Sequence, residues 1–169
     1  DAEAFWRTEA RVQEPLVPQI LEHCAEASSL LDIGCGCGYL LSRLSEQTDL
    51  RTKGIELNAA RADIAEDRSG SEILRIPIEQ YEGDEQFDVI LLFNVFSHVF
   101  SVTDLFRAVA RHLAPNGRFW IRTGELAEDV REDDAFDWEV PDHIQWLGTT
   151  TIDHICSEFG FEKVDHQRT

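Results

Sequence analysis

The residues with the clearest chemical potential are one acid and the glycines that follow it. An apolar run ends at Asp32, and three glycines then occupy alternate positions: Gly34, Gly36 and Gly38. Residues 39–44 continue as an amphipathic segment, so the order is strand, tight turn and helix start. Glycine suits such a turn because it adopts positive φ and has no side chain to hold a ligand away. The pattern predicts a site for a nucleotide-like cofactor.

The acid before the glycines narrows the choice of ligand. A dinucleotide-binding loop usually reads G-x-G-x-x-G and holds a pyrophosphate at a helix N-terminus. Here Asp32 lies where an anionic phosphate would otherwise sit. An acidic strand end favours a cationic ligand that carries an amine and a sulfonium. The alternative is a glycine turn that only packs a helix on a strand.

Residues 30–38 resemble motif I of the class I S-adenosylmethionine-dependent methyltransferases. The resemblance implies a Rossmann-like, doubly wound α/β sheet and a small-molecule methyl acceptor. The implied cofactor is S-adenosylmethionine, which leaves as S-adenosylhomocysteine. The residues expected under the amino-acid part of the cofactor are Asp32, Gly34, Gly36 and Gly38, and Cys35 is also included in the expected cofactor site.

A second acid lies at the distance that nucleoside binding requires. Glu56 follows a strand-like segment, residues 50–55, and comes 20 residues after Gly36. An acid at about this distance ends the second strand and accepts hydrogen bonds from ribose hydroxyls. Leu57 beside it is included in the expected cofactor site. The alternative is an acid at a helix start, although Asn58 is a better helix cap.

The third strand, which begins near Ile73, departs from the family pattern at its end. Where the family often has an acid for the adenine amino group, this chain has Pro77, which offers neither a carboxylate nor an N–H. Ile78 is the expected apolar neighbour of the adenine ring. Glu79 would replace the acid only in a register shifted by two residues.

Residues 87–99 give the second strong match. The apolar run 89–93 predicts a central parallel strand buried on both faces. Asn94 and Val95 then lie at its carboxyl end and are expected to close the methionine side of the cofactor site. A helix follows over 102–113, with Ser101 or Thr103 as its cap, and a fifth strand covers 118–122 after a Leu-x-Pro-x-Gly segment that resembles the family's.

Two histidines are candidates for a general base, which is needed only if the acceptor is a weakly acidic hydroxyl or a protonated amine. They are His98, after the fourth strand, and His143, in a phrase that resembles one in quinone O-methyltransferases. The alternative for each histidine is a structural role, in which its ring forms a hydrogen bond with the backbone. Three aromatic residues are expected either to line an acceptor pocket or to pack in the core: Phe96, Trp138 and Trp146. We expect no metal site.

Composition is consistent with one globular domain. The 169 residues are 43% hydrophobic and carry 33 acids against 15 bases, a net charge of −18. Such a surface should repel nucleic acid and anionic membranes, so neither is expected as a partner. The four cysteines form no C-x-x-C pair, which favours reduced thiols and a cytoplasmic location. No run is long enough to span a membrane, and no signal peptide is evident.

We divide the expected domain, residues 1–169, into four regions. They are an N-terminal helical cover (1–28), a cofactor-binding core (29–123), an acidic insert (124–148), and a C-terminal helix and strand (149–169). Residues 149–159 should be helical and 160–165 a sixth strand. The resemblance implies a seventh, antiparallel strand that this chain lacks. The absence of methionine suggests a fragment.

Two other functions stay open at this point. An NAD-dependent oxidoreductase shares the fold, but Asp32 and the alternate glycines weaken that reading. A non-catalytic, cofactor-sensing or scaffolding domain would agree with Pro77 and the missing last strand.

Overall fold

The computed structural model describes residues 2–123, 145 and 147–165. The N-terminal part is helical, with two helices joined by a single 3-10 turn at Glu14–Leu16. Strands and helices then alternate. The elements are α1 (Ala2–Gln13), α2 (Val17–His23), β1 (Ser29–Ile33), α3 (Tyr39–Gln47), β2 (Arg51–Ile55), α4 (Ala59–Ser69), β3 (Glu72–Leu74), β4 (Phe87–Phe93), α5 (Val102–His112), β5 (Leu113–Arg122) and α6 (Thr149–Phe159).

The five strands form one parallel sheet in the order β3-β2-β1-β4-β5. The first strand is central, and its two neighbours are β2 on one side and β4 on the other. Strand order therefore reverses between β1 and β4, which is the point where open α/β sheets bind ligands. The Rossmann-like class expected from the sequence is confirmed.

Helices cover both faces of the sheet, as expected of a doubly wound fold. One apolar cluster joins α2, α3 and α4 to alternate residues of the strands, including Leu30 and Leu91. The other joins α5 and α6 to the intervening residues, including Leu31 and Leu92. All five residues of β1 are buried, because the strand has helices on both sides.

The polar residues at the helix starts act as the sequence indicates. Asn58 Oδ1 accepts a hydrogen bond from the Arg61 N–H at 3.2 Å, which caps α4. Of the two candidate caps of α5, Ser101 is the one used, and its Oγ accepts from the Asp104 N–H at 3.3 Å.

The last strand differs from expectation at its start. It begins at Leu113, which pairs with Phe87, and not at Arg118, which pairs with Val89. The ladder shifts register between these two pairs, and Asn116 there has a φ of +62°. The turn expected to separate helix and strand is thus a bulge within β5.

The expectation of a sixth strand over 160–165 is wrong. Gly160 ends α6 at a φ of +74°, and Phe161 donates its N–H back to the Cys156 carbonyl at 2.9 Å. Lys163 then pairs with Asp153 of α6. The segment therefore folds back along its own helix, and Val164 is 84% exposed.

The helix expected over 149–159 is confirmed as α6. Most of the acidic insert, residues 124–144 and 146, lies outside the described residues. None of the helices in the described part of the chain is long and apolar enough to cross a membrane.

Candidate functional site

Three loops meet at the carboxyl edge of the central strands. Ile33 at the end of β1 is in register with Ile55 of β2 and with Leu92 of β4. The loops that follow these strands, 34–38, 56–58 and 94–98, therefore lie side by side. Together they contain most of the residues that the sequence assigns to cofactor binding.

The glycine loop is held in a left-handed conformation. Gly34, Gly36 and Gly38 have φ values of +77°, +59° and +81°. Residues that carry a side chain rarely adopt this backbone conformation. The N–H groups of Gly34 and Cys35 both donate to the Ile55 carbonyl, at 2.8 and 3.0 Å. The loop is thereby fixed to the end of β2, and it delivers Gly38 as the residue that begins α3.

Close approaches explain two of these glycines beyond their φ values. A Cβ on Gly38 would lie 2.8 Å from the Ala65 Cα, so this glycine allows α3 and α4 to pack. A Cβ on Gly34 would overlap the side chain of Val95, which reaches over from the loop after β4. Cys35 is also buried, and its Sγ packs beside Gly54 of β2.

Glu56 connects two loops through one carboxylate. Its Oε2 accepts the Gly36 N–H at 3.1 Å, and its Oε1 accepts the Asn58 N–H at 2.7 Å. The carboxylate is therefore oriented at the end of β2, over the glycine loop. Beside it, Leu57 is 62% exposed, a large apolar side chain at the rim of the site.

Asp32 is buried beneath the glycine loop, and its pKa is raised far above the ordinary value. It is 2% exposed, and burial raises its pKa to about 7. The carboxylates of Glu9 and Glu56 raise that pKa further. At neutral pH a cation in this site would be attracted by all three acids.

Glu9 is a site residue that the sequence analysis missed. Its Oε1 accepts the Cys37 N–H at 2.8 Å, and it lies so close to Gly36 that a Cβ there would overlap it. Burial raises the pKa of Glu9. Glu9 and Cys37 are 28 positions apart in the chain. Nothing in the sequence around Glu9 distinguishes it from Glu3 on the same helix, so no local pattern could have identified the contact.

The N-terminal helix is held over the loop by aromatic and charged contacts. The Trp6 ring meets Tyr39 edge-on, with centroids 5.1 Å apart, and the Arg68 guanidinium lies 4.2 Å from the Trp6 centroid. Tyr39 also donates its hydroxyl to Glu14 at 2.7 Å. Trp6 thus anchors α1 on α3 and α4.

The residues after β4 adopt an unusual turn. Asn94 has a φ of +57°, and its N–H donates to the Arg122 carbonyl of β5 at 2.8 Å. Its side chain is exposed at the sheet edge, while Val95 is directed back over Gly34. His98 is exposed in the short turn that follows, where its N–H donates to the Val95 carbonyl at 2.9 Å.

Two of the residues expected to contact a ligand are buried in the core. Phe96 is 1% exposed and packs against Phe106 of α5, as its core alternative predicts. Ile78 is 2% exposed in the same cluster, so any contact with adenine would involve only its edge. The other candidates, His143, Trp138 and Trp146, lie outside the described residues. Within the described ranges no three ligating side chains cluster as a metal site would require.

A glycine loop after the first strand, with an acid after the second, is typical of Rossmann-like folds that bind nucleotides. The sequence profile of one family, described as a methyltransferase domain, matches residues 5–166. The chain therefore belongs to the methyltransferase domain family. The resemblance stated from motif I is confirmed for the family and the fold.

Known proteins agree with this assignment. The chain is 28% identical over 108 residues to the ubiquinone biosynthesis O-methyltransferase of Rickettsia bellii, covering 60% of this chain and 45% of that protein. It thus spans less than half of that relative's length.

Two solved structures share the fold. One is the SAM-bound amino pentose methyltransferase CalS10 from Micromonospora echinaspora, with a TM-score of 0.60 and 24% identity over 75% of this chain and 54% of that one. The other is the YcgJ protein of Bacillus subtilis, with a TM-score of 0.68 and 20% identity over 85% of this chain and 66% of that one.

Proposed function

We propose that this chain is an S-adenosylmethionine-dependent methyltransferase domain acting on a small molecule. The observation that carries the proposal is the buried Asp32 beneath a left-handed glycine loop whose amide already orients Glu56. A cationic nucleoside matches both features, because Asp32 attracts the cation and Glu56 accepts from the ribose. An anionic pyrophosphate would be repelled by the same acids.

The cofactor would lie across the three loops. Its amino-acid part rests on Asp32 and on the loop formed by Gly34, Cys35, Gly36 and Gly38. Its ribose is held by Glu56, and its adenine lies against the exposed Leu57 and the edge of Ile78. Asn94 and Val95 close the methionine side, and support comes from the positive φ of +57° at the exposed Asn94, an unusual conformation at the end of β4.

The chemistry asks little of the protein beyond positioning. The sulfonium of the bound cofactor activates its methyl group for transfer. The protein must therefore hold the acceptor in line with the methyl–sulfur bond and exclude water. His98 lies at the same sheet edge and is the described candidate for removing a proton from the acceptor. His143 stays a candidate for the same task.

The relatives support a small acceptor without fixing the methylated atom. One is named for ubiquinone biosynthesis, and one structural neighbour is named an amino pentose methyltransferase. The net charge of −18 disfavours nucleic acid and anionic membrane as partners. All four cysteines are free thiols, which supports a cytoplasmic location.

The direct experiment is a transfer assay with methyl-labelled S-adenosylmethionine and a panel of phenols and amino sugars. Product masses identify any methylated compound. Glu56→Ala should abolish transfer, whereas the control Glu26→Gln, an exposed acid at the opposite edge of the sheet, should not. Equal transfer by both variants would show that the assigned site is not the one used.

His98 can be separated from cofactor binding in the same assay. His98→Asn should lower the turnover rate while leaving the affinity for S-adenosylhomocysteine unchanged. A rate equal to that of the unmodified chain at every pH would exclude His98 as the base.

A further inference from the structure

One of the acids beside the glycine loop has a buried carboxylate oxygen that no donor satisfies. Asp32 is 2% exposed, and its burial and the neighbouring carboxylates of Glu9 and Glu56 raise its pKa. Glu9 uses one oxygen for the Cys37 N–H, while its buried Oε2 has no hydrogen-bond partner. The buried Oε2 of Glu9 is therefore an acceptor without a donor, and its carboxylate lies near enough to the buried Asp32 to raise the pKa of that acid.

Such an arrangement is costly unless a ligand completes it. A buried carboxylate oxygen without a donor loses its hydration and gains nothing in return. Arg61 is the cation whose charge reaches Glu9, but its guanidinium lies over the Phe5 ring, 4.5 Å from the centroid. The unmet requirement is for a compact cation with several hydrogen-bond donors.

A primary ammonium group meets that requirement, since it carries one positive charge and three donors. We propose that Glu9 of α1 is a third acidic ligand of the cofactor, and that it binds, with Asp32, the ammonium group of the cofactor's amino-acid part. The inference rests on the proposed function, because it assumes that the cofactor carries that group.

The position of Glu9 fits this role. Its Oε1 lies directly over Gly36, so it is at the face of the loop that a ligand would approach. The helix that carries it has no buried residue and is attached by ring and ion-pair contacts such as Arg68–Glu3. Glu9 can keep the Cys37 N–H on its Oε1 while its unpartnered Oε2 accepts a hydrogen bond from the ammonium group.

The test compares two ligands that differ only in the amino-acid part. S-adenosylhomocysteine carries the ammonium group, and 5′-methylthioadenosine has the same nucleoside and a thioether without it. Calorimetric titration of Glu9→Gln should show at least about a tenfold loss of affinity for S-adenosylhomocysteine and no change for methylthioadenosine. Glu9→Gln keeps the shape of the side chain, so the loss reports its charge. Glu22→Gln, at an exposed acid of α2, is the matched control and should leave the ratio of the two affinities unchanged.

The outcomes separate the two proposals. If the unmodified chain binds neither ligand, the proposed function itself fails. If it binds both and Glu9→Gln lowers the two affinities equally, or neither, Glu9 is not an ammonium ligand. Tighter binding by Glu9→Gln would show that Glu9 obstructs the site, which also overturns the inference. Glu9→Ala should reproduce the selective loss, and its thermal transition shows whether α1 remains attached.

Discussion

Gly36 donates its N–H to the carboxylate of Glu56 at 3.1 Å, although 20 residues separate them in the chain. The same carboxylate accepts the Asn58 N–H at 2.7 Å. One side chain thus fixes the glycine loop relative to the start of α4. The acid that would bind the ribose is therefore oriented before any ligand arrives, so less conformational freedom is lost on binding.

Replacing Glu56 should weaken cofactor binding more than it weakens the fold. Glu56→Ala removes the expected bonds to both ribose hydroxyls, so the affinity for S-adenosylhomocysteine should fall by at least about tenfold. The free energy of unfolding should fall by about 1 kcal/mol, because the hydrogen bonds from the Gly36 and Asn58 N–H groups are lost and water can replace them. Calorimetry and urea denaturation measure the two effects, and unchanged affinity would contradict the assignment of Glu56.

Gly38 should be essential for packing, independently of any ligand. Gly38→Ala places a methyl group 2.8 Å from the Ala65 Cα at a φ of +81°, so both crowding and backbone strain oppose it. Gly70 is a matched control, because its φ is +68° and a Cβ there meets nothing within 4 Å. Gly70→Ala should cost about 1 kcal/mol from the backbone alone. Gly38→Ala should cost about 3 kcal/mol.

Urea denaturation of the two variants tests this difference. Equal losses in the free energy of unfolding would show that α3 and α4 do not approach each other as closely as the structure indicates.

The buried Asp32 should make stability depend on pH. Its pKa in the folded chain is about 7 and its ordinary value is 3.8. Below pH 3.8 both states keep the proton, and no ionisation penalty arises. Between about pH 4 and 7 the unfolded chain releases its proton first, so Asp32 lowers stability progressively as pH rises. Above pH 7 the penalty is constant.

Asp32→Asn removes this penalty and should therefore stabilise the free protein more at pH 8 than at pH 4. The difference between the two pH values should be about 2 to 4 kcal/mol in the free energy of unfolding. Thermal denaturation of both proteins across this range provides the measurement. A stability difference independent of pH would mean that the pKa of Asp32 in the folded chain is close to its ordinary value of 3.8.

The sequence predicts the sheet and the glycine loop because their signals are local. Buried strands appear in the sequence as apolar runs. The loop appears as closely spaced glycines, the residues that adopt positive φ without strain. The acid at Glu56 follows from a fixed distance along the chain. These features need no knowledge of how distant segments meet.

What the sequence did not predict depends on contacts between distant segments. Glu9 reaches Cys37 only because Trp6 and Glu14 fix α1 against α3. The segment after Gly160 has a strand-like composition, but Phe161 packs against Phe106 of α5 and Phe119 of β5. Tertiary contacts thus decide against the local propensity in that segment.

The central claim is that this site binds a cationic nucleoside. Calorimetric titration of the unmodified chain with S-adenosylmethionine and, in parallel, with NAD tests it most directly. We expect S-adenosylmethionine to bind and NAD to give no heat of binding, because Asp32, Glu9 and Glu56 repel a pyrophosphate. Binding of NAD without binding of S-adenosylmethionine would contradict the account and indicate an oxidoreductase.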